Sequence, residues 1–504
     1  MTSSCRAMVA SGHPLVSRAA ATILRQGGNA FDAAVGAGFA GAMAEPALTS
    51  PGGGGFLLAR TAGGESTLFD FFVDTPGRGR AASELTPHFF PVTVRFSGSD
   101  QQFHVGPGSV AVPGNLKGFL HVHERLGRLP LAQVVRPAVT LAREGLVVNS
   151  QQGYFLGLLE PIMTLSAAGR ALFAPGGAYI AAGDRFYNHD LADFLEQLGD
   201  DGGDNLYGGA LAARIDGDMQ AMEGLLTRED LAVYRVMERP PLEVAYRGRT
   251  LLTNPPPSFG GALIAMALRL LDRQDLSSIP WGSPRHLTTL AATMIEVEQQ
   301  RSLARAESDE TMENWSTAAA GRLRTFSRGT THVSVVDMEG NVAAMTTSNG
   351  EGSGYIVPGS GIMLNNMMGE DDLHPEGFHA TPPGQRVASM MSPSILLGKD
   401  SVVELILGSG GSKRIRTAII QVLSNVVDFG LDIGAAVAAP RLHWDDTTLQ
   451  VEPGLPAATV ASLKAHWPVN VWKETEVYFG GVHAVAPGVG GAGDPRRGGH
   501  HLTV

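Results

Sequence analysis

The chain has 504 residues, is 43% hydrophobic and carries a formal net charge of −11. It is long enough to bury a large core, and an acidic balance without any polybasic block argues against nucleic acid or an anionic membrane as the main partner. The single cysteine, Cys5, excludes an intramolecular disulfide and a cysteine metal cluster.

No secretory signal is visible in the first twenty residues, because their arginines are scattered and no apolar core region follows. The most apolar stretch nearby, residues 30–43, contains Asp32 and is too short to span a bilayer. We therefore expect a soluble, cytoplasmic protein.

Helix and strand patterns alternate in the first part of the chain. Residues 15–26 predict an amphipathic helix that ends at a pair of glycines, and Asn29 is the expected N-cap of the next helix. "SPGGGGFLLART" predicts a glycine turn that leads into a short buried strand. Further helices are predicted in "GNLKGFLHVHERLG", "LAQVVRPAVTLAREG" and "TREDLAVYR", the last with Thr227 as its N-cap. "RGRTLLTNPPPSFGGALIAMALRLLD" predicts a strand, a proline loop and a helix, and residues 285–325 are mostly helical in pattern.

The pattern becomes strand-rich after Arg328. "THVSVVDMEGNVAAMTTS" predicts two strands around a turn at Gly340, and "SPSILLGKDSVVELILGSGG" predicts a second pair with Gly398 in its turn. "RIRTAIIQVLSNVVDFG" predicts a helix closed by Gly430. The residues together indicate a layered α/β sandwich with a change of composition near 325–330.

The Gly329–Thr330 pair permits a specific chemistry. A threonine hydroxyl is a poor nucleophile until a base removes its proton, and self-cleavage before the threonine would supply an α-amine with a pKa of roughly 8. A glycine before it leaves room for the hydroxyl to attack the preceding carbonyl. A Thr-Thr-His sequence is more often just the start of an edge strand, so both interpretations stay open on this stretch alone.

A series of motifs resembles the γ-glutamyltransferase (glutathione hydrolase) family of N-terminal nucleophile enzymes. The series includes "MVASGHPLVSRAAATILRQGGNAFDAAVGAGFAGAMAEP", "GGGGFLL", "TTHVSVVDMEGNVAAMTTSN", "GSGIMLNNMM", "MSPSILL" and "GAGDPRRGG", in family order. The resemblance implies a four-layer αββα sandwich and a proenzyme that cuts itself between Gly329 and Thr330. It implies a large subunit, 1–329, rich in helices, and a small subunit, 330–504, that begins with the nucleophile, the two remaining associated.

The resemblance also implies roles for individual residues. Thr330 matches the family nucleophile, and Ser348 stands where the family has a second threonine hydroxyl that supports it. The backbone N–H groups of Gly411 and Ser412 would form the oxyanion hole, in a turn that could otherwise be an ordinary glycine turn. The substrate-binding positions are expected to be as follows: Ser389 for the carboxylate, Glu370 for the amino group, and Asn366 beside them.

Three family features for binding the glutamate α-carboxylate are weakened. Phe72 stands at the family arginine in "FDFFVDTPGRGR", Met390 replaces one of two serines, and Gly350 replaces an asparagine. A phenylalanine cannot replace a bidentate arginine contact, although Arg78 or Arg80 could reach inward. The segment between Asn366 and Ser389 is also short, so a covering loop is expected to be missing.

The resulting prediction is an autoprocessed γ-glutamyl hydrolase or transferase that cleaves γ-glutamyl amides such as glutathione through a Thr330 acyl-enzyme. It would use a small-molecule amide and either water or an amine acceptor, and no cofactor or metal is assigned. The alternatives are an acylase for a different small acyl group and an uncleaved, inactive binding homologue. His332 is interpreted as structural, because the α-amine already fills the role of base.

Overall fold

Two antiparallel sheets form the centre of the computed structural model, which describes residues 6–81, 86–95, 100–307, 329–374 and 377–504. The first sheet has seven strands, in the spatial order His500–Thr503, Met8–Ser11, Thr330–Val336, Val342–Ser348, Gly54–Arg60, Ser66–Phe71 and Met237–Arg239. The second has six, in the order Gly490–Ala492, Gly481–Ala486, Val403–Gly410, Ser394–Leu397, Arg249–Thr253 and Leu242–Tyr246.

Short strands and the helices surround these sheets. The minor strands are Phe90–Arg95 with Asp100–Val105, Leu146–Val147 with Arg185–Phe186, Ile356–Val357 with Ile362–Met363, and the trio Leu442–Trp444, Leu449–Val451 and Val469–Val471. The α-helices are Pro14–Arg25, Ala30–Ala44, Asn115–Leu126, Leu131–Glu144, Ser150–Met163, Ala167–Phe173, His189–Asp201, Asp204–Tyr207, Ala210–Ala221, Arg228–Val233, Phe259–Asp272, Pro284–Glu307, Arg414–Val427, Ile433–Ala438 and Ala457–His466. Within the described ranges, no helix is both long and apolar enough to cross a membrane.

The layers follow the predicted αββα order. The helices Pro14–Arg25 and Ala30–Ala44 cover the outer face of the seven-stranded sheet, and Phe259–Asp272 and Arg414–Val427 cover that of the six-stranded sheet. Ala30–Ala44 is buried along its whole length, because its alanines and glycines allow close packing against neighbours on every side. The fold class predicted from the sequence is thus confirmed.

The strand Thr330–Val336, which we call the nucleophile strand, shows how the alternation of side chains positions the site. Val333 and Val335 face the helical layer and join its apolar core. His332 and Ser334 face the six-stranded sheet, where Ser334 donates to backbone carbonyls of that sheet, whereas Thr331 faces the helical layer and donates to Glu45. A side chain at Gly408 would collide with His332, so the glycine allows the two sheets to approach closely at this point.

The segments before and after Gly329 are interleaved in both sheets. Met8–Ser11 pairs with the nucleophile strand on one side and with His500–Thr503 on the other. Val342–Ser348 pairs in turn with Gly54–Arg60. The two segments therefore build one integrated unit, while the predicted division into subunits 1–329 and 330–504 stays a prediction.

Most predicted elements are present. Asn29 caps its helix in a reciprocal capping box with Asp32, and Thr227 does the same with Asp230. Both strand pairs after Gly329 form at the predicted places. The predicted helix at 285–325 is described as Pro284–Glu307, and the remainder of that prediction lies outside the described residues.

Candidate active site

Thr330 begins its strand with its hydroxyl directed at Ser348, its partner in the register of the neighbouring strand. The Thr330 Oγ1 donates to the Ser348 Oγ at 3.4 Å, and the Gly350 N–H donates to the same oxygen at 2.9 Å. The Ser348 hydroxyl donates in turn to the carbonyl oxygen of Gly329. Both hydroxyl side chains are buried. Two hydroxyls and the peptide carbonyl before Thr330 thus form one hydrogen-bonded chain.

The backbone before Thr330 has no room for a side chain. A Cβ built on Gly329 would overlap the carbonyl oxygen of Gly350. Gly350 has a φ of +61° and is equally enclosed, since its Cβ would meet the side chains of Asn366 and Glu370. Glycine at both positions is therefore a steric requirement, and the asparagine that the family has at position 350 would not fit here without a local shift.

The turn after Val403–Gly410 brings backbone groups to the same place. Gly410 packs against the carbonyl group of Thr330, Gly411 has a φ of +124°, and the turn leads directly into the helix Arg414–Val427. Ser412 has a φ of +51°, which is unusual for a residue with a Cβ, and it lines the same cavity as Thr330. Backbone N–H groups at a turn before a helix favour negative charge, as an oxyanion hole requires.

A small cavity opens beside the two hydroxyls. Glu370 and Ser389, both predicted to bind substrate, line it, and Ser389 holds its own loop by accepting from the Met391 N–H at 3.1 Å. The complete lining in the described part of the chain is Phe72, Thr330, Ser348, Met367, Glu370, Leu373, Ser389, Met390, Met391, Ser412 and Ile415. One carboxylate, four hydroxyl side chains and six apolar side chains therefore line the cavity at Thr330.

Asn366 is close to this cavity but is not part of the described lining. Its Oδ1 accepts from the Glu351 N–H at 2.8 Å, and its Nδ2 donates to the His104 carbonyl at 3.3 Å. The side chain is fully buried. Asn366 therefore lies behind Gly350, where it supports the loop that presents Glu370.

Phe72 takes the position of the missing arginine and makes the cavity wall apolar. Its ring is buried and stacks on Phe56, with centroids 5.4 Å apart and planes within 16°. Arg78 and Arg80 do not replace the clamp, because Arg78 lies by Asp230 and Arg80 donates to the Gly224 carbonyl at 2.7 Å. The sequence left their direction open, and in the structure neither belongs to the described lining of the cavity.

Arg386 is a basic side chain that contacts the backbone of Phe72. It donates to the Phe72 carbonyl oxygen and, at 2.8 Å, to the Tyr234 hydroxyl. Its Nε lies 3.5 Å from Asp70 and 3.3 Å from Asp74. These carboxylates neutralise its charge outside the cavity, so Arg386 holds the Asp70–Asp74 loop rather than a substrate.

His332 has the structural role predicted for it. Its two ring nitrogens contact the hydroxyls of Thr346 at 2.8 Å and Ser334 at 3.0 Å. Burial lowers its pKa well below the usual value, and the nearby His483 adds to this effect. A neutral imidazole held between two hydroxyls serves the packing of the two sheets.

Two charged residues that the sequence did not single out lie around the nucleophile strand. Arg497 donates from Nη1 to the Thr330 carbonyl oxygen at 2.8 Å, and Glu45 accepts from the Thr331 hydroxyl at 3.0 and 3.1 Å. Burial raises the pKa of Glu45 to about 7, against the opposing effects of Thr331 and Arg497. Both residues lie in stretches that resemble the family, "AMAEP" and "GAGDPRRGG", but a motif gives no distance to Thr330.

Comparison with known proteins agrees with this geometry. The family model for gamma-glutamyltranspeptidase matches residues 16–319 and 305–504. The Acylase ACY 1 proenzyme of Pseudomonas sp. (strain SE83) is 34% identical over 96% of this chain and 90% of its own length. The glutathione hydrolase proenzyme of Escherichia coli (strain K12) is 32% identical over 97% of this chain and 90% of its own length.

A solved structure extends the likeness to three dimensions. The crystal structure of cephalosporin acylase from Bacillus halodurans superposes with a TM-score of 0.81 at 26% identity, over 99% of this chain and 96% of that one. The sequence match, the fold and the arrangement around Thr330 are therefore mutually consistent. This chain belongs to the gamma-glutamyltranspeptidase family and is an enzyme, an amide hydrolase or acyltransferase.

Proposed function

We propose that this protein is an autoprocessed γ-glutamyl hydrolase or transferase in which Thr330 becomes the catalytic N-terminal residue. The observation on which the proposal depends is the meeting of Thr330, Ser348, Ser412 and Glu370 around one cavity. A nucleophile, a supporting hydroxyl, a turn suited to an oxyanion and a carboxylate for an amino group are the parts that the reaction needs.

Autocleavage would begin with attack of the Thr330 Oγ1 on the carbonyl carbon of Gly329. The Ser348 hydroxyl, which already donates to that carbonyl oxygen, stabilises the negative charge that develops there. The C–N bond then breaks, the nitrogen takes up the proton that Oγ1 has lost and leaves as the α-amine of Thr330, and an ester joins Gly329 to Oγ1. Water hydrolyses this ester and releases the carboxyl group of Gly329.

The mature enzyme would use the same hydroxyl on its substrate. The neutral α-amine takes the proton of Oγ1, which attacks the amide carbonyl, and the backbone N–H groups of Gly411 and Ser412 receive the oxyanion. The leaving amine takes the proton, and an ester on Thr330 remains. Attack by water gives hydrolysis, and attack by an acceptor amine gives transfer.

Glu370 favours a substrate with an amino group on its acyl part. Its carboxylate lines the cavity together with Thr330, and Ser389 adds a hydroxyl on the same wall. The α-amino group of a γ-glutamyl unit would pair with such a carboxylate. Glutathione, the substrate in the name of the Escherichia coli relative, has this group.

An acylase for another small acyl group is the second candidate. The specific observation that favours it is the apolar wall formed by Phe72, Met390 and Met391, where the glutamate α-carboxylate would otherwise be bound. A site that lacks a partner for a charged group discriminates strongly against that group. Two relatives of similar likeness are named acylases, which agrees with this alternative.

Two measurements on the purified full chain test the proposal. Denaturing gels and Edman sequencing should show a second polypeptide that begins Thr-Thr-His-Val, while Thr330→Ala should remain a single chain and Thr330→Ser should still be cut. A single band for the unmodified chain would instead support the inactive binding homologue. Initial rates with a γ-glutamyl anilide and with simple acyl anilides then separate the two enzymatic candidates. The cytoplasmic location inferred from the sequence stays a prediction.

A further inference from the structure

Arg497 contacts the residue that autocleavage would turn into a chain end. Its Nη1 donates to the Thr330 carbonyl oxygen at 2.8 Å, and Arg497 is only 2% exposed to solvent. The guanidinium lies over the ring of Phe155, 5.7 Å from the centroid, and its stem lies along Gly481, where a Cβ would collide with it. The fold therefore leaves a defined place for this side chain beside the nucleophile strand.

Cutting the bond before Thr330 removes one of the two covalent anchors of that residue. The remaining anchors are the strand that follows, the contact of Oγ1 with Ser348 and the contact of the carbonyl with Arg497. A chain end without such contacts frays and takes the nucleophile out of line. Arg497 holds the carbonyl oxygen of the same residue whose nitrogen becomes the new amine.

The charge of Arg497 also acts on the amine. Standard backbone dimensions place the α-nitrogen roughly 3 Å from the carbonyl oxygen of the same residue, hence roughly 6 Å from the guanidinium. A like charge at this distance disfavours the ammonium form and favours the neutral amine. The neutral form is the one that can accept the proton of Oγ1.

Glu45 partly offsets this charge from the other side of the strand. Its carboxylate accepts from the hydroxyl of Thr331, the residue after Thr330, at 3.0 and 3.1 Å, and the positive charge of Arg497 opposes the burial that raises the pKa of Glu45. Ionised Glu45 therefore reduces the positive field at the amine, whereas protonated Glu45 does not.

Other titratable groups near Thr330 are accounted for. His332 and His483 are buried, and burial lowers the pKa of both, so that they are neutral near pH 7. Asp494 forms ion pairs with Arg441 at 2.6 Å and with Arg496 at 3.2 Å, and Glu370 lies in the substrate cavity. Arg414 donates to the Tyr478 carbonyl at 3.0 Å. Burial lowers the pKa of Arg497 to about 10, Asp494 and Glu45 oppose this effect, and Arg414 and Arg441 add to it, so Arg497 stays charged near pH 7. Arg497 and Glu45 contact the nucleophile strand directly, through Thr330 and Thr331, and neither belongs to the described lining of the substrate cavity.

We propose that Arg497 is a positioning residue for the N-terminal nucleophile, which it fixes through the Thr330 carbonyl and whose α-amine it keeps neutral, with Glu45 as the opposing charge. This inference depends on the proposed function in one respect only, that Thr330 becomes a free N-terminus.

The test compares the pH dependence of kcat/KM for the unmodified enzyme, Arg497→Gln, Arg497→Lys and Glu45→Gln. Removing the positive charge should raise the pKa of the α-amine, so the acid limb of Arg497→Gln moves to higher pH by roughly 1 unit. Arg497→Lys keeps the charge and should leave the limb in place. Because Glu45, with its pKa of about 7, is only partly ionised over this limb, Glu45→Gln should move the limb to lower pH by the smaller amount of roughly 0.5 unit. Arg143→Gln, an exposed residue with the same chemical change, serves as the control.

A substrate-independent measurement separates this inference from the proposed function. The rate at which the Thr330 α-amine is reductively methylated, followed by mass spectrometry of its peptide, gives the titration of the amine even if γ-glutamyl anilides are not cleaved. The inference would be overturned if Arg497→Gln had the same acid limb of kcat/KM and the same pH dependence of labelling as the unmodified enzyme. It would also be overturned if Arg497→Gln and Arg497→Lys shifted these curves equally. If Arg497→Gln is not cleaved, the test uses Glu45→Gln alone. A titration curve of the Thr330 α-amine that is unshifted, or shifted to higher pH, in Glu45→Gln would then overturn the inference.

Discussion

The Ser348 hydroxyl donates its hydrogen bond to the carbonyl oxygen of Gly329, the peptide group that the proposed autocleavage would break. Ser348 also accepts from the Thr330 hydroxyl and from the Gly350 N–H, so its own position is fixed by two donors. In the proposed autocleavage, this one side chain would therefore both support the nucleophile and polarise the carbonyl group that it attacks. This dual contact makes Ser348 a sensitive point for the maturation step.

Replacing Ser348 with alanine should slow autocleavage by about 10²–10³-fold, because loss of one donor to a developing oxyanion typically has this effect. Ser348→Thr keeps the hydroxyl and should be cleaved at a rate close to that of the unmodified chain. The measurement is the time course of the two bands on denaturing gels. Cleavage of Ser348→Ala at the unmodified rate would show that the contact with Gly329 has no role in maturation.

Gly329→Ala should block or strongly delay cleavage, because the added methyl group would occupy the position of the Gly350 carbonyl oxygen. Gly157→Ala is the matched control, since a Cβ built on Gly157 meets nothing within 4 Å. The control should be cleaved normally and should be slightly more stable, as is usual for alanine in a helix. Gel analysis and thermal melting of both variants check the prediction, and normal cleavage of Gly329→Ala would contradict it.

Phe72→Arg should raise kcat/KM for γ-glutamyl anilides at least tenfold if the missing clamp limits glutamate binding, because a bidentate pair with the α-carboxylate becomes available. The change removes a buried ring stacked on Phe56 and should cost about 3 kcal/mol of stability. Phe72→Met removes the ring without adding charge and controls for this loss. Equal γ-glutamyl rates in the two variants would reject the clamp explanation.

Ser412→Gly should keep activity, because the proposed oxyanion hole uses a backbone N–H rather than the serine side chain. The positive φ of Ser412 favours glycine, so the free energy of unfolding should rise by roughly 0.5 kcal/mol. Ser412→Ala removes the same hydroxyl but keeps the Cβ, and it should show no such gain. Chemical denaturation gives the free energy of unfolding of both variants, and initial rates give their kcat. A large loss of kcat in Ser412→Gly would point to a role for the hydroxyl.

His483 should make the protein less stable as the pH falls. Burial lowers its pKa from 6.5 to about 3, so between these values the unfolded chain binds a proton that the folded chain does not. The free energy of unfolding should therefore decrease as the pH drops below 6.5, by up to about 1.4 kcal/mol per pH unit from this residue alone.

Urea unfolding of uncleaved Thr330→Ala at pH values from about 7 to about 5 measures this slope. Adding His483→Gln should reduce the slope, and adding His466→Gln, which changes an exposed histidine, should not. An unchanged slope in the His483→Gln background would show that this imidazole is protonated in the folded protein.

Local patterns were sufficient for most of the fold. The caps at Asn29 and Thr227 depend on side chains within three residues, and the hairpin after Gly329 depends on alternation over a short segment. The pairing of Met8–Ser11 with the last strand of the chain could not be obtained in this way, because nothing local relates residues nearly five hundred positions apart.

The site was predictable to a similar extent. The motifs placed Thr330, Ser348, Glu370, Ser389 and Ser412 together, and the structure brings them to one cavity. Asn366 was also expected in the substrate site, but its amide is directed into the loop behind Gly350. The direction of this side chain depends on tertiary contacts, which the sequence does not show. The roles of Glu45 and Arg497 likewise follow from distances through space, which a single sequence does not contain.

Strands from before and after Gly329 alternate within one sheet, and this arrangement has a consequence for the mature enzyme. Met8–Ser11 is hydrogen-bonded on both edges to strands from beyond the cut, and Val342–Ser348 is bonded to a strand from before it. Dilution alone should not separate such fragments, because their separation would break the hydrogen bonds between the strands and expose the buried core to water. Differently labelled preparations mixed after maturation should therefore not swap their halves at any rate faster than global denaturation, so the cut changes the number of chains without creating a dissociable complex.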